Sequence, residues 1–266
     1  MRERLQHLFT GWVDILYRRL HGKDYLPSWS LRATVGFPAD FEITGAEFVA
    51  YLKLLCGLKS QHSALDIGCG CGMMALQLES YLAGEGRYVG MDVDRAAIAW
   101  CQTHITARNP RFVFYHVDLK NTRYNPSGAL SDASFRFSEP DASFEVVLLK
   151  SVFTHMRPDG VQNYLNEIAR LLKPGGRCLA SFFLLNDRGS TGARPGSSKL
   201  SFDHGDDDCR YVDPAMPEKA IAYREGYVLE MLKRSGLALV APPYYGMWSG
   251  RPDGLSFQDL LLISRE

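Results

Sequence analysis

The sequence predicts an α/β fold: a mostly parallel sheet with helices on both faces. Three observations carry this. Short apolar runs alternate with stretches of helical period from about residue 61 onward, as parallel strands joined by helical crossovers require. The first apolar run ends in Asp66 and enters a turn with three alternating glycines, Gly68-Cys69-Gly70-Cys71-Gly72. Two later runs end in Asp92 and Asp118, so successive strands present a carboxylate at the same edge.

Each element follows from local pattern. Apolar residues at helical spacing (Leu5, Leu8, Phe9, Trp12, Val13, Leu16, Leu20) predict an amphipathic helix over 5–20. A Pro/Gly-punctuated segment covers 23–40, and a second helix is expected over 48–58. Strands are expected over 64–67, 87–91, 111–117, 144–149 and 178–185. Helices are expected over 73–82, 94–107 with Asp94 as N-cap, and 159–172, which stops at Lys173-Pro174-Gly175-Gly176. Residues 119–142 are polar and rich in Asn, Ser, Asp and Pro, and read as an irregular excursion. Residues 186–213 break the alternation again, with the acidic run Asp206-Asp207-Asp208. A helix over 218–235 and strands over 237–241 and 255–264 complete the pattern. The domain reading is a helical cap or lid over 1–60 and a core over 61–266, with loop insertions at 119–142 and 186–216.

Composition narrows the function. The 266 residues carry 30 basic and 30 acidic side chains, so the net charge is zero and no basic run offers a footprint for a phosphate backbone. Nucleic acid is not the expected partner. No stretch approaches membrane-spanning length, and no signal-type apolar core follows Met1. The six cysteines (Cys56, Cys69, Cys71, Cys101, Cys178, Cys209) have neither metal-ligand nor disulfide spacing. They read as reduced thiols of a cytoplasmic protein, and no metal site is expected.

The glycine turn lies between a strand and a helix N-terminus, where bare backbone can approach a ligand. Asp92 follows Gly70 by 22 residues, close to the spacing of an acid that accepts from ribose hydroxyls. At this point the chain resembles a known family. Leu65-Asp66-Ile67-Gly68-Cys69-Gly70-Cys71-Gly72 is similar to motif I of the class I S-adenosylmethionine (SAM)-dependent methyltransferases, Val89-Gly90-Met91-Asp92 to their ribose-binding motif and His116-Val117-Asp118 to their adenine-contacting motif. Leu171-Leu172-Lys173-Pro174-Gly175-Gly176-Arg177 resembles the turn before their fifth strand. Ser151-Val152-Phe153-Thr154-His155-Met156 and Trp248-Ser249-Gly250-Arg251 resemble a bacterial subgroup acting on small molecules.

The resemblance implies a Rossmann-like seven-stranded sheet of order 3-2-1-4-5-7-6 with its last strand antiparallel, and SAM as cofactor. It implies that Gly68, Cys69, Gly70 and Gly72 approach the methionine and ribose, with Asp66 orienting the loop or reaching the ammonium through water. Asp92 and Val93 would lie at the ribose, Asp118 and Leu119 at the adenine, and Lys150 and Ser151 near the sulfonium. Gly70-Cys71-Gly72-Met73-Met74-Ala75 also satisfies the G-x-G-x-x-A pattern of NAD-binding folds, so an NAD-dependent dehydrogenase is one alternative. A SAM-binding protein without methyl transfer is another.

The acceptor side is less constrained. Methyl transfer to a hydroxyl benefits from a base, and His155, a few residues beyond the fourth strand, is the candidate. His204, Tyr245, Trp248 and Arg251 are candidate substrate residues on the later loops. The expected acceptor is a small molecule, methylated at oxygen. The cap helix leaves a homodimer open.

Overall fold

β1 (Ser63–Ile67), β2 (Arg87–Asp92), β3 (Phe112–His116) and β4 (Phe144–Leu149) pair in parallel, the first, second and fourth through runs that are almost wholly buried and β3 as a partly exposed edge strand. The seven strands of the main sheet run β3-β2-β1-β4-β5-β11-β10, with β5 at Leu172–Phe182, β10 at Leu237–Leu239 and β11 at Asp259–Arg265. β11 is antiparallel to both neighbours. This is the sheet order that the resemblance implies. The computed structural model describes residues 2–122, 124–186 and 200–265, with side chains from residue 11 onward.

Register fixes where the site lies. Ile67 pairs with Met91 and with Leu149, and Asp92 pairs with His116. The chain therefore leaves four adjacent strands at Gly68, Val93, Val117 and Lys150 on one edge. One face of the sheet carries α3 (Phe41–Leu54), α4 (Met73–Leu78) and α5 (Arg95–Cys101) over a core including Phe48, Leu78 and Phe114. The other carries α6 (Pro158–Leu171) and α7 (Glu225–Arg234) over a core including Phe153, Leu165 and Met231. α6 starts at Pro158, whose missing N–H costs nothing in a first turn, and buries Val161, Leu165, Ile168 and Leu171 as its periodicity predicts.

Several elements differ from the sequence reading. α5 runs into a π turn, Gln102–Thr106, instead of continuing as a regular helix. Lys173-Pro174-Gly175-Gly176 does not separate helix from strand: β5 begins at Leu172, and the four residues bulge opposite Glu145 with Gly175 at φ 78°. The segment 23–40 contains a short helix, α2 (Trp29–Thr34), capped by the Ser28 hydroxyl. The helix expected over 218–235 begins only at Glu225. Ile221–Arg224 is instead a strand, β9, of a second sheet of order β6-β9-β8-β7, with β6 at Leu184–Leu185, β7 at His204–Gly205 and β8 at Cys209–Tyr211. Ile221, Ala222 and Tyr223 are all buried, a run whose period cannot tell a strand from a covered helix. Within the excursion after strand five, residues 187–199 lie outside the described residues. Leu5, Leu8 and Phe9 lie in the backbone of α1 (Arg2–Leu20), but their side chains fall outside the described set.

α1 and α2 are joined by a buried ion network. The Asp14 carboxylate accepts from Arg32 Nη2 at 2.6 Å, Arg18 Nε at 3.0 Å and the Trp29 N–H at 3.0 Å. Arg32 also donates to the carbonyls of Pro27 (3.0 Å) and Pro38 (3.1 Å). Removing one partner strands a buried charge, so Arg32→Ala should lower unfolding stability by about 3–5 kcal/mol in chemical denaturation. Arg32→Met with Asp14→Leu should recover most of that loss.

Candidate functional site

The glycine turn is shaped by what presses on it. Gly68 and Gly70 have φ of 77° and 52°, the left-handed region that L side chains avoid. A Cβ on Gly68 would meet Val152 Cγ2 at 2.4 Å, and one on Gly70 would meet Val35 Cγ1 at 2.1 Å. The turn is hung from β2: the Gly68 and Cys69 N–H groups donate to the Met91 carbonyl at 2.7 and 3.1 Å. Asp92 completes the attachment. Its Oδ2 accepts from the Gly70 N–H at 2.7 Å and its Oδ1 from the Asp94 N–H at 2.8 Å. Asp94 in turn caps α5 as predicted, accepting from the N–H groups of Ala96 and Ala97. The Cys69 and Cys101 thiols both donate to the Gly70 carbonyl, and the Cys71 thiol to that of Leu31. Burial pushes the Cys71 thiol up to about 12, so it stays a neutral donor.

A cavity of about 490 Å³ opens above this turn, within the range of small-ligand pockets. Gly68, Cys69, Gly70, Asp92, Val93, Leu119, Lys150, Ser151 and His155 of the expected set line it. Residues 33–36, at the end of α2, close one side. Asp66, Gly72 and Asp118 are not in the lining. Asp66 is buried beneath the turn, where the Tyr88 hydroxyl donates to Oδ2 and Oδ1 has no hydrogen-bond partner. Burial raises its pKa to about 7 against the pull of Tyr88. Gly72 faces Ile105 and Cys101 at the start of α4. Asp118 accepts from Asn125 Nδ2 at 3.0 Å, which holds its carboxyl below the usual range.

Past β4 the backbone is strained: Ser151 has φ 59°, and its N–H donates to Ser181 Oγ at 2.7 Å. Lys150 packs its ammonium 5.5 Å from the centre of the Phe48 ring. Desolvation lowers its pKa, while the carboxylates of Asp66 and Glu47 oppose the shift. His155 Nδ1 lies 2.9 Å from the Glu218 carbonyl, which can only accept, so a neutral ring carries its proton on Nδ1. Glu218 is itself held by Arg157 Nε at 3.0 Å and the Thr122 hydroxyl at 3.2 Å.

The remaining candidates lie outside this cavity. His204 is exposed in β7, stacked on Tyr211. Trp248 is buried among Phe183 and Phe202 and donates Nε1 to Asp259 at 2.7 Å. Tyr245 donates to Glu225, and the Arg251 guanidinium lies 4.2 Å above the Tyr245 ring. In the acidic run, Asp206 accepts from two backbone N–H groups and Asp208 pairs with Arg224 at 2.7 Å. Among the described residues no three His, Cys, Asp or Glu converge as a metal site, and no helix is long and apolar enough to cross a membrane. Sequence reasoning missed Val35, Tyr124, Asp132 and Tyr164, all in the lining. The one local signal for Asp132 was a glycine, Gly160, within an otherwise good helix.

Comparison with known proteins agrees with this geometry. Residues 64–176 match the family model described as a methyltransferase domain. A tRNA N(3)-cytidine methyltransferase of Danio rerio is 29% identical over 128 residues, covering 45% of this chain and 31% of that protein. An arsenite methyltransferase of Aquipseudomonas alcaligenes is 31% identical over 113 residues, covering 42% of this chain and 30% of its own. The chain thus spans about a third of the length of these curated relatives. In fold it is similar to the Burkholderia thailandensis 1,6-didemethyltoxoflavin-N1-methyltransferase crystallised with S-adenosylhomocysteine: TM-score 0.50, 17% identity, covering 98% of this chain and 89% of that one. Residues 64–176 are thus similar to a methyltransferase domain, on the sheet order that the sequence resemblance implies, and S-adenosylmethionine is the cofactor that goes with such a domain.

The residues present fit that cofactor. The backbone of Gly68, Cys69 and Gly70 lines the cavity without side chains at the two glycines, and a buried carboxylate oxygen of Asp66 lies unpartnered behind the turn. Asp66 also makes a stability prediction. Its folded pKa, about 7, lies above the unfolded value of about 4, so the native state binds the extra proton. Stability of the ligand-free chain should be highest below about pH 4 as far as this group is concerned, fall through to about pH 7 and then level off. Denaturation curves across that window should lose this component in Asp66→Asn. A second check is Gly68→Ala, which should cost about 1–3 kcal/mol through backbone strain, besides displacing Val152.

Proposed function

We propose that the chain transfers a methyl group from SAM to a small-molecule acceptor at oxygen, with His155 as general base. The observation that carries this is the place of His155: its ring lines the same cavity as the glycine turn, with Nδ1 fixed 2.9 Å from the Glu218 carbonyl.

When bound, SAM supplies an activated methyl group on a sulfonium. The chain's task is then to align, to exclude water and to accept a proton. In this reading the backbone of Gly68, Cys69 and Gly70 holds the methionine and ribose, with Gly72 starting the helix behind them. Asp92 accepts from the ribose diol with lone pairs that its two backbone partners leave available. Val93 lies at the ribose, Leu119 flanks the adenine, and Asp118 fixes the 119–125 turn beside it through Asn125. Asp66 neutralises charge near the ammonium, and Lys150 and Ser151 bound the space beside the reacting methyl. His155 Nε2 takes the acceptor's hydroxyl proton. Residues 1–60 act as the cap: α2, fixed to α1 by Asp14 and Arg32, closes the cavity over Gly70. His204, Tyr245, Trp248 and Arg251 would reach the acceptor only through a rearrangement of the second sheet and its loops.

A small acceptor is supported by the zero net charge and by a lining whose cations are lysines, Lys120 and Lys150. The relative named for its action on tRNA is similar to this chain over 128 residues, 31% of its own length.

The test is release of S-adenosylhomocysteine in the presence of pooled hydroxylated small molecules, followed by mass spectrometry for a 14-Da gain, the mass of CH₂. The proposal expects an O-methylated product, and His155→Ala should lower its turnover by about 10²–10⁴-fold with cofactor affinity retained. Turnover unchanged in His155→Ala removes the base from the mechanism and leaves alignment alone.

A further inference from the structure

Beyond the glycine turn the cavity continues into a recess between α6 and the excursion 119–142. Gly160 explains its shape. It has no left-handed φ, so its backbone does not require glycine, and alanine would favour the helix. A Cβ there, however, would meet Asp132 Oδ2 at 2.4 Å and Met156 Cε at 3.0 Å. The missing side chain admits the Asp132 carboxylate against the helix.

One turn further along the same face stands Tyr164. It is only 4% exposed and lines the cavity, yet its hydroxyl has no hydrogen-bond partner among the described residues. The hydroxyl is not among the fully buried unpartnered polar atoms and so is open to the cavity, and burial of the side chain, with Asp132 and Asp92 nearby, pushes its pKa up. It stays a neutral hydroxyl, whose oxygen can accept from a ligand as well as donate. The Asp132 carboxylate accepts from the turn's own backbone, at Ala133, which leaves it capacity for a ligand. Phe137 packs 5.1 Å from the Tyr164 ring, and the Tyr124 ring lies 6.2 Å from that of His155. The walls therefore include aromatic rings, one beside the His155 imidazole and one beside the Tyr164 phenol, with the Asp132 carboxylate in the same lining.

We infer that this recess is the acceptor's subsite, and that the acceptor is a planar aromatic or heteroaromatic hydroxy compound whose far end carries a hydrogen-bond donor, an amino or a second hydroxyl group, received by Asp132 and Tyr164. The inference rests on the methyl-transfer reading above. Flat rings suit walls of Tyr124, Phe137 and Met156, whereas a carboxylated ring would set like charge against Asp132.

The experiment is calorimetry on the full chain saturated with S-adenosylhomocysteine. The titrants are four phenols that differ only in the para group: aminomethyl, hydroxyl, methyl or carboxylate. The aminomethyl and hydroxyl compounds should bind at least about tenfold more tightly than the methyl one, with the carboxylate weakest, as for loss of a hydrogen bond to a charged group. Asp132→Asn should erase the advantage of the aminomethyl compound and Tyr164→Phe should reduce that of both donors. Gly160→Ala, which supports the helix, should do the same by crowding Asp132. S-adenosylhomocysteine affinity should be unchanged in all three variants. Equal binding of the four, tightest binding of the carboxylate, or binding of none by the loaded chain overturns the inference. So does a loss of S-adenosylhomocysteine affinity in Asp132→Asn, which assigns that residue to the cofactor. Failure of the wild-type chain to take up S-adenosylhomocysteine is a different result: it overturns the methyl-transfer reading and this inference with it.

Discussion

The Asp92 carboxylate is the join on which the site depends. One of its oxygens accepts from the Gly70 N–H and the other from the Asp94 N–H, so a single side chain ties the glycine turn to the end of β2 and to the start of α5. Hydrogen bonds to an ionised acceptor are shorter and stronger than neutral ones, and these are largely shielded from water. Their effect is to select one conformation of the Gly70 turn, at a φ of 52° that glycine reaches without steric cost. Burial raises the Asp92 pKa, and the N–H groups of Asp94 and Gly70 oppose the rise, which favours the ionised form that the join requires.

Around that join the structure is assembled from two directions. From the sheet side, Met91 holds the turn by its carbonyl and the parallel register brings Gly68, Val93, Val117 and Lys150 to one edge. From the other side, α2 presses Val35 against Gly70 and accepts the Cys71 thiol at the Leu31 carbonyl. α2 keeps that place because Arg32 is held by Asp14 of α1 and by two proline carbonyls. The cysteines of the turn, which have no metal spacing, fill it as small, buried, protonated donors. The N-terminal helices and the glycine turn are in this sense one unit. α1 still leaves Trp12, Leu16 and Leu20 exposed, Trp12 at 72%.

What could be read in the sequence was what short-range rules encode. The glycine turn, the carboxylates closing β1 and β2, the Asp94 cap and the buried face of α6 follow from period, capping and the need for bare backbone, and all involve residues within a few positions of one another. What could not be read depends on distant partners. Ile221–Arg224 is a strand because β8 and Leu184–Leu185 lie beside it, not because of its own pattern. Trp248 and Tyr245 resembled pocket walls, but Asp259 and Glu225 bind their polar atoms from elsewhere in the chain. Asp132 and Tyr164 are 32 residues apart in sequence and meet only because Gly160 lets the excursion settle onto α6.

The central claim is that the turn held by Asp92 takes S-adenosylmethionine. Isothermal calorimetry of the purified chain against S-adenosylhomocysteine, with NAD as the control titrant, tests it most directly. The account predicts micromolar binding of S-adenosylhomocysteine, none of NAD, and a loss of about 1–3 kcal/mol on Asp92→Ala. Binding of NAD, or of neither compound, would contradict it.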